Sequence, residues 1–140
     1  PKGLTAATGM DALTHAIESY ITPGAWVMSD MFAIKSIELI HKHLYNAVVD
    51  PQNKEAREGM ALAQYVAGMR FSNVGLGIVH SMAHKTGAAF EGGHIIHGAA
   101  NAMYLPKVIK YNSKDATQAT NIETSSSAVI HLIDGPLFYK

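Results

Sequence analysis

Apolar residues recur every three to four positions through most of the first 112 residues, the period of helices that bury one face. In "AATGMDALTHAIESYIT", residues Met10, Leu13, Ala16, Ile17 and Tyr20 fall in helical register. Thr8 offers an N-cap and Pro23-Gly24 a stop, so a first helix is expected over about residues 9–21. From Ser29, the residues Met31, Ile34, Ile37, Ile40, Leu44 and Val48 trace a longer stripe that Asp50-Pro51 ends. Lys35, Glu38, Lys42 and His43 fall on its wetter side. A third helix is expected from near Asn53 to about Phe71, where Met60, Ala63, Ala67 and Phe71 line up and the many alanines permit close helix packing. "SNVGLG" interrupts the period, and "IVHSMAHKTGAAF" restores it as a fourth helix. The glycine-rich turn "EGGHIIHG" leads to a fifth, "AANAMYLPKVIKYN", which Pro106 should kink or restart. After Asn112 the design changes: "SKDATQATNIETSSS" is polar and aperiodic, and "AVIHLIDGPLFYK" reads as a short strand and a turn. The expectation is an all-α domain over residues 1–112 followed by an atypical polar tail, 113–140.

Composition narrows the chemistry. With 140 residues the chain can bury one core but not two well-packed ones. Eleven basic and eleven acidic residues cancel without forming a Lys/Arg stripe, so neither nucleic acid nor an anionic membrane is an expected partner. The absence of cysteine excludes disulfides, thiolate zinc sites and a cysteine nucleophile, so any metal must use nitrogen and oxygen ligands. It also fits a reducing, cytoplasmic setting. No apolar run reaches the roughly 20 residues that span a bilayer, and "PKGLTAATGMD" lacks the pattern of a signal peptide.

Histidines then stand out. Asp11 and His15 are four apart on the first helix, so both side chains project from one face within reach of a common cation. His80 and His84 repeat the spacing on the fourth helix, and His94 and His97 lie in the glycine-rich turn. One carboxylate with several imidazoles suits divalent iron or zinc, and also admits manganese, nickel or cobalt. Spacing alone does not require a site: an Asp–His pair at i, i+4 is usually a surface hydrogen bond, and a lone buried histidine is usually just hydrogen-bonded. "HSMAH" lacks the glutamate of zinc-protease helices, which argues against a peptidase. "GLG" lacks the third glycine and the preceding strand of a dinucleotide fingerprint. His41 and His43 require no function, His43 being expected in solvent, and the methionines read as core fillers.

Three segments, "AATGMDALTHAIESYIT", "YVAGMRFSNVGLGIVHSMAH" and "HGAANAMYLPKVIKYN", together resemble the metal-binding helical domain of the iron-dependent (group III) alcohol dehydrogenases over about residues 1–112. The resemblance implies that Asp11, His15, His80 and His97 hold one Fe(II), or Zn(II) in its place. It also implies that His84 faces substrate and nicotinamide and exchanges protons with solvent, a packing role being its alternative. The implied reaction is reversible hydride transfer between a small alcohol or aldehyde and NAD(P), with the metal as Lewis acid, in a homo-oligomer. For the last ligand two cues conflict. The family's loop length lands on His94, whereas its "HGxAN" pattern lands on His97, and loop length is the cheaper feature to vary. His97 is therefore the expected ligand. Family members carry a dinucleotide-binding domain ahead of this region and further helices after it, so the chain is expected to be a fragment with an altered tail, inactive alone. A hydrolase using the same cluster without nicotinamide, or a non-catalytic helical module, is the alternative reading.

Overall fold

In a computed structural model, described for residues 1–89 and 95–113, five helices follow one another: α1 Lys2–Ile21, α2 Val27–Val49, α3 Lys54–Val74, α4 Ile78–Ala89 and α5 His97–Asn112. No strand occurs among the described residues, and the strand suggested within 128–140 lies outside them. The architecture is all-α, as the periodicity requires. None of the described helices is long and apolar enough to cross a membrane.

Helix α1 occupies the centre, contacting each of the other four. Its second half is buried nearly all round, including the polar Thr14, Glu18 and Ser19. Two of these bond within the helix: Thr14 Oγ1 donates to Met10 O (2.8 Å) and Ser19 Oγ to His15 O (2.6 Å). The core draws on all five helices: Ala16, Ile17 and Tyr20 of α1, Ile37 of α2, Ala67 of α3, Val79 of α4, and Leu105 and Ile109 of α5. Arg70, fully buried on α3, donates through Nη2 to Ser19 O and, at 3.1 Å, to Asp30 Oδ1, tying three helices together.

Several boundaries differ from the sequence reading. Helix α1 begins at Lys2, six residues before Thr8, whose hydroxyl donates to Leu4 O (2.9 Å) inside the helix instead of capping it. The third helix does begin near Asn53, which caps it, Oδ1 accepting from Ala56 N at 3.0 Å. Met31, placed in the buried stripe of α2, is 64 % exposed, while His43, placed in solvent, is only 7 % exposed. The ring of His43 packs on α3 where Gly59 has no side chain; a Cβ there would lie 2.3 Å from His43 Cδ2. Helix α5 starts at His97, not after it, and runs through Pro106 as one helix.

Two close approaches position the elements around α1. At Gly75, which ends α3, φ is +83°, a left-handed conformation natural to glycine, and the chain turns there towards α4. At Gly98 the first turn of α5 presses on α1, and a Cβ would sit 1.8 Å from the carbonyl oxygen of Ala7.

Candidate metal centre

Three of the histidine-rich segments meet on one flank of α1. Asp11 Oδ1 lies 3.4 Å from His80 Nε2, 3.5 Å from His97 Nε2 and 3.9 Å from His15 Nδ1. Asp11, His80 and His97 offer ligand atoms that all lie within 4.8 Å of one another. His15 stands beside this trio, its ring stacked on Phe71 of α3 (centroids 4.3 Å apart) and 4.2 Å from the His80 ring. His84 is exposed, its ring centroid 4.8 Å from that of His97. The helical spacings therefore bring Asp11, His80 and His97 into one cluster, with His15 and His84 on its margins. His94 lies outside the described residues.

One carboxylate oxygen and two imidazole nitrogens converging from three helices form a donor set that fits a borderline divalent ion. Asn101, fully buried one turn after His97, spans the same point. Its Nδ2 donates to Asp11 Oδ1 at 2.6 Å and lies 3.2 Å from His80 Nε2 and 3.3 Å from His97 Nε2. Its own Oδ1 is buried without a partner.

Electrostatics favour the deprotonated carboxylates. Burial raises the pKa of Asp11, but the hydrogen bond to His80, the neighbouring His15 and His97, and the Asn101 amide outweigh it and hold the group below its usual 3.8. For His15, burial dominates and lowers the ring below its ordinary value, keeping a lone pair available despite Asp11. For His80, burial opposes the charge, yet hydrogen bonds to Asp11 and Glu18 raise its pKa to about 9. A cation is wanted at that ring, whether a proton or a metal.

Glu18 was not singled out by the sequence. It is 2 % exposed on α1 and accepts from the backbone N–H groups of Gly77 (3.1 Å), Val79 (2.6 Å) and His80 (3.3 Å), and from His80 Nδ1 at 2.7 Å. Burial pushes its carboxyl up, but these four donors pull it below the usual 4.5. A signal existed: Glu18 is seven residues after Asp11 and three after His15, so it belongs to the same face of α1.

Beside the cluster a cleft of about 580 Å³ opens between α1 and α3, lined by Thr8, Asp11, His15, Arg57, Gln64 and Phe71 among others.

Comparisons with known proteins bear on the family and the fold. The model for the C-terminal part of the Fe-containing alcohol dehydrogenase family matches residues 5–130, past Asn112. The chain is 57 % identical over 113 residues to lactaldehyde reductase of Escherichia coli K12, covering 81 % of this chain and 28 % of that protein. It is 56 % identical over 118 residues to the NADPH-dependent butanol dehydrogenase of Clostridium saccharobutylicum, covering 84 % and 29 %. The crystal structure of a 1,3-propanediol oxidoreductase superimposes with a TM-score of 0.82 at 42 % identity, over 97 % of this chain and 33 % of that one. The chain thus spans under a third of the length of the relatives it matches. With the family model, the sequence relatives and the fold in agreement, the chain belongs to the Fe-containing alcohol dehydrogenase family, whose C-terminal helical region it represents.

Proposed function

We propose that this chain supplies the metal half of an alcohol dehydrogenase active site, with Asp11, His15, His80 and His97 as ligands of one Fe(II) ion, or Zn(II) in its place. The observation that carries the reading is the convergence of Asp11, His80 and His97 within 4.8 Å around a buried asparagine. A divalent ion bound there would supply Lewis acidity, making an alcohol easier to oxidise and a carbonyl easier to reduce by hydride exchange with NAD(P). The chain's own residues position and exclude. Phe71 holds the His15 ring, Asn101 holds the Asp11 carboxylate, and the cleft between α1 and α3 has room for a small alcohol or aldehyde. His84, exposed and adjacent to His97, is the group that relays a proton between substrate and solvent.

In this reading the nicotinamide site lies on parts of the enzyme beyond these five helices. The active protein works in the cytoplasm as a homo-oligomer. The consecutive exposed Trp26, Val27 and Met28, with Met31 one turn on, support association through the start of α2. Residues 1–112 are taken as the helical domain, and the tail expected over 113–140 lies, beyond Ser113, outside the described residues.

The test is Zn(II) titration of the purified chain. His97→Ala should weaken binding by orders of magnitude and His15→Ala by a similar factor, whereas His94→Ala should keep it. Unchanged affinity in His97→Ala would sink the reading. Loss in His94→Ala with retention in His97→Ala would move the last ligand three residues upstream.

A further inference from the structure

Glu18 lies behind the cluster, not in it. Its carboxylate is buried to 2 % exposure, where an unpaired charge is costly, and it is spent on four donors from one short stretch, Gly77 to His80. Three are backbone N–H groups at the start of α4, which an ordinary helix leaves without partners. The fourth is the imidazole nitrogen of His80 that faces away from Asp11. A carboxylate only accepts, so Nδ1 must carry a proton, and Nε2 is the nitrogen left to face Asp11 and His97, where a metal would take the place of its proton. Gly77 makes this geometry attainable, since a Cβ at that position would fall 2.7 Å from Glu18 Oε1.

We infer that Glu18 is a positioning residue: it aims His80 Nε2 into the metal cluster and fixes the ring's tautomer while anchoring the start of α4 to the helix that carries Asp11 and His15. The inference rests on the metal reading above. One carboxylate thereby sets the orientation of a ligand on α4 from α1, the same helix that supplies two other ligands. A carboxylate behind a ligating imidazole also raises the basicity of the metal-facing nitrogen, and loss of such a partner typically costs 10–100-fold in metal affinity.

The experiment uses the full chain and Zn(II) alone. Glu18→Gln keeps the shape but loses the charge, and its amide cannot accept from all four donors at once. Wild type should bind Zn(II) with the His80 Nδ1 proton visible as a slowly exchanging, strongly downfield resonance. Glu18→Gln should bind about 10–100-fold more weakly, with that resonance moved upfield and helical content retained. Gly77→Ala, which displaces the carboxylate without removing it, should weaken binding in the same direction and serves if Glu18→Gln does not fold. A purely structural Glu18 would lower the melting temperature of both variants while leaving affinity and the His80 resonance as in wild type, and that result overturns the inference. Failure of the wild-type chain to bind Zn(II) would overturn the metal reading and this inference together, whereas binding equal in wild type and both variants overturns this inference alone.

Discussion

Replacing Gly98 by alanine adds one methyl group at the point where α5 meets α1, and the structure says how much room it lacks. The new Cβ would lie 1.8 Å from Ala7 O, 2.5 Å from Ala7 C and 3.2 Å from Ala7 Cα, whereas ordinary contact begins near 3.4 Å. The obstacle is backbone in the middle of a helix, so no side chain can rotate away, and α5 must retreat by about 1.6 Å, the difference between 3.4 and 1.8. Overpacking of this kind costs about 1–3 kcal/mol. The gain in helix propensity from glycine to alanine, up to about 1 kcal/mol, offsets only part of it. The retreat also carries His97 and Asn101, which flank Gly98 on the same helix, away from Asp11. Metal sites tolerate displacements of about 0.2 Å, so Zn(II) affinity should fall at least tenfold, and the melting temperature should drop by several degrees. The control is Gly68→Ala, a helical position with nothing within 4 Å of the added Cβ, which should leave melting unchanged or raised. A Gly98→Ala protein that melts and binds Zn(II) like wild type would refute the argument that this contact sets the position of α5.

Gly59→Ala should destabilise by about 1–3 kcal/mol, because the added methyl meets the buried His43 ring of α2 at 2.3 Å; denaturant unfolding reads it, and metal affinity should be untouched. The metal-free chain should be most stable at mildly acidic pH, above about 4.5 and up to about 6.5. His80 has its folded pKa raised from 6.5 to about 9, so its contribution is complete below 6.5 and is lost as pH rises through about 9. Asp11 and Glu18 have folded values below 3.8 and 4.5, so theirs is present above those values and is lost as pH falls through the lowered ones. Chemical denaturation across pH, with chelator present, checks both limbs; a flat profile from pH 6.5 to 9.5 would contradict the charged His80 between its two carboxylates.

The helical period of the apolar residues and the Pro and Gly stops were enough to identify five helices and their order, because these are local properties of backbone and side-chain spacing. The i, i+4 pair of Asp11 and His15 and the "HGxAN" start of α5 were likewise legible as chemistry in one dimension. Burial of polar groups was not. Thr8 looked like a cap because its type suits one, yet the helix continues past it and its hydroxyl finds Leu4 O instead. His43 sits between charged positions on α2 and reads as solvated, but α3 crosses just there with a glycine, and the ring is covered. Met31 has the right period and no neighbour among the described residues to bury it fully.

Glu18 marks the same boundary within the site. Sequence alone determined that this chain is helical, that any metal it holds must use oxygen and nitrogen ligands, and which short segments carry the candidates. Whether those segments face one another depended on how far apart α1, α4 and α5 lie and at what angle they cross. That is decided by contacts between residues as distant as Ala7 and Gly98, or Glu18 and His80, which no local pattern encodes. A carboxylate buried at 2 % exposure is stable only because four donors from another helix reach it. Its role is therefore a property of the tertiary structure, since the free energy that keeps the charge in place comes from partners about sixty residues away.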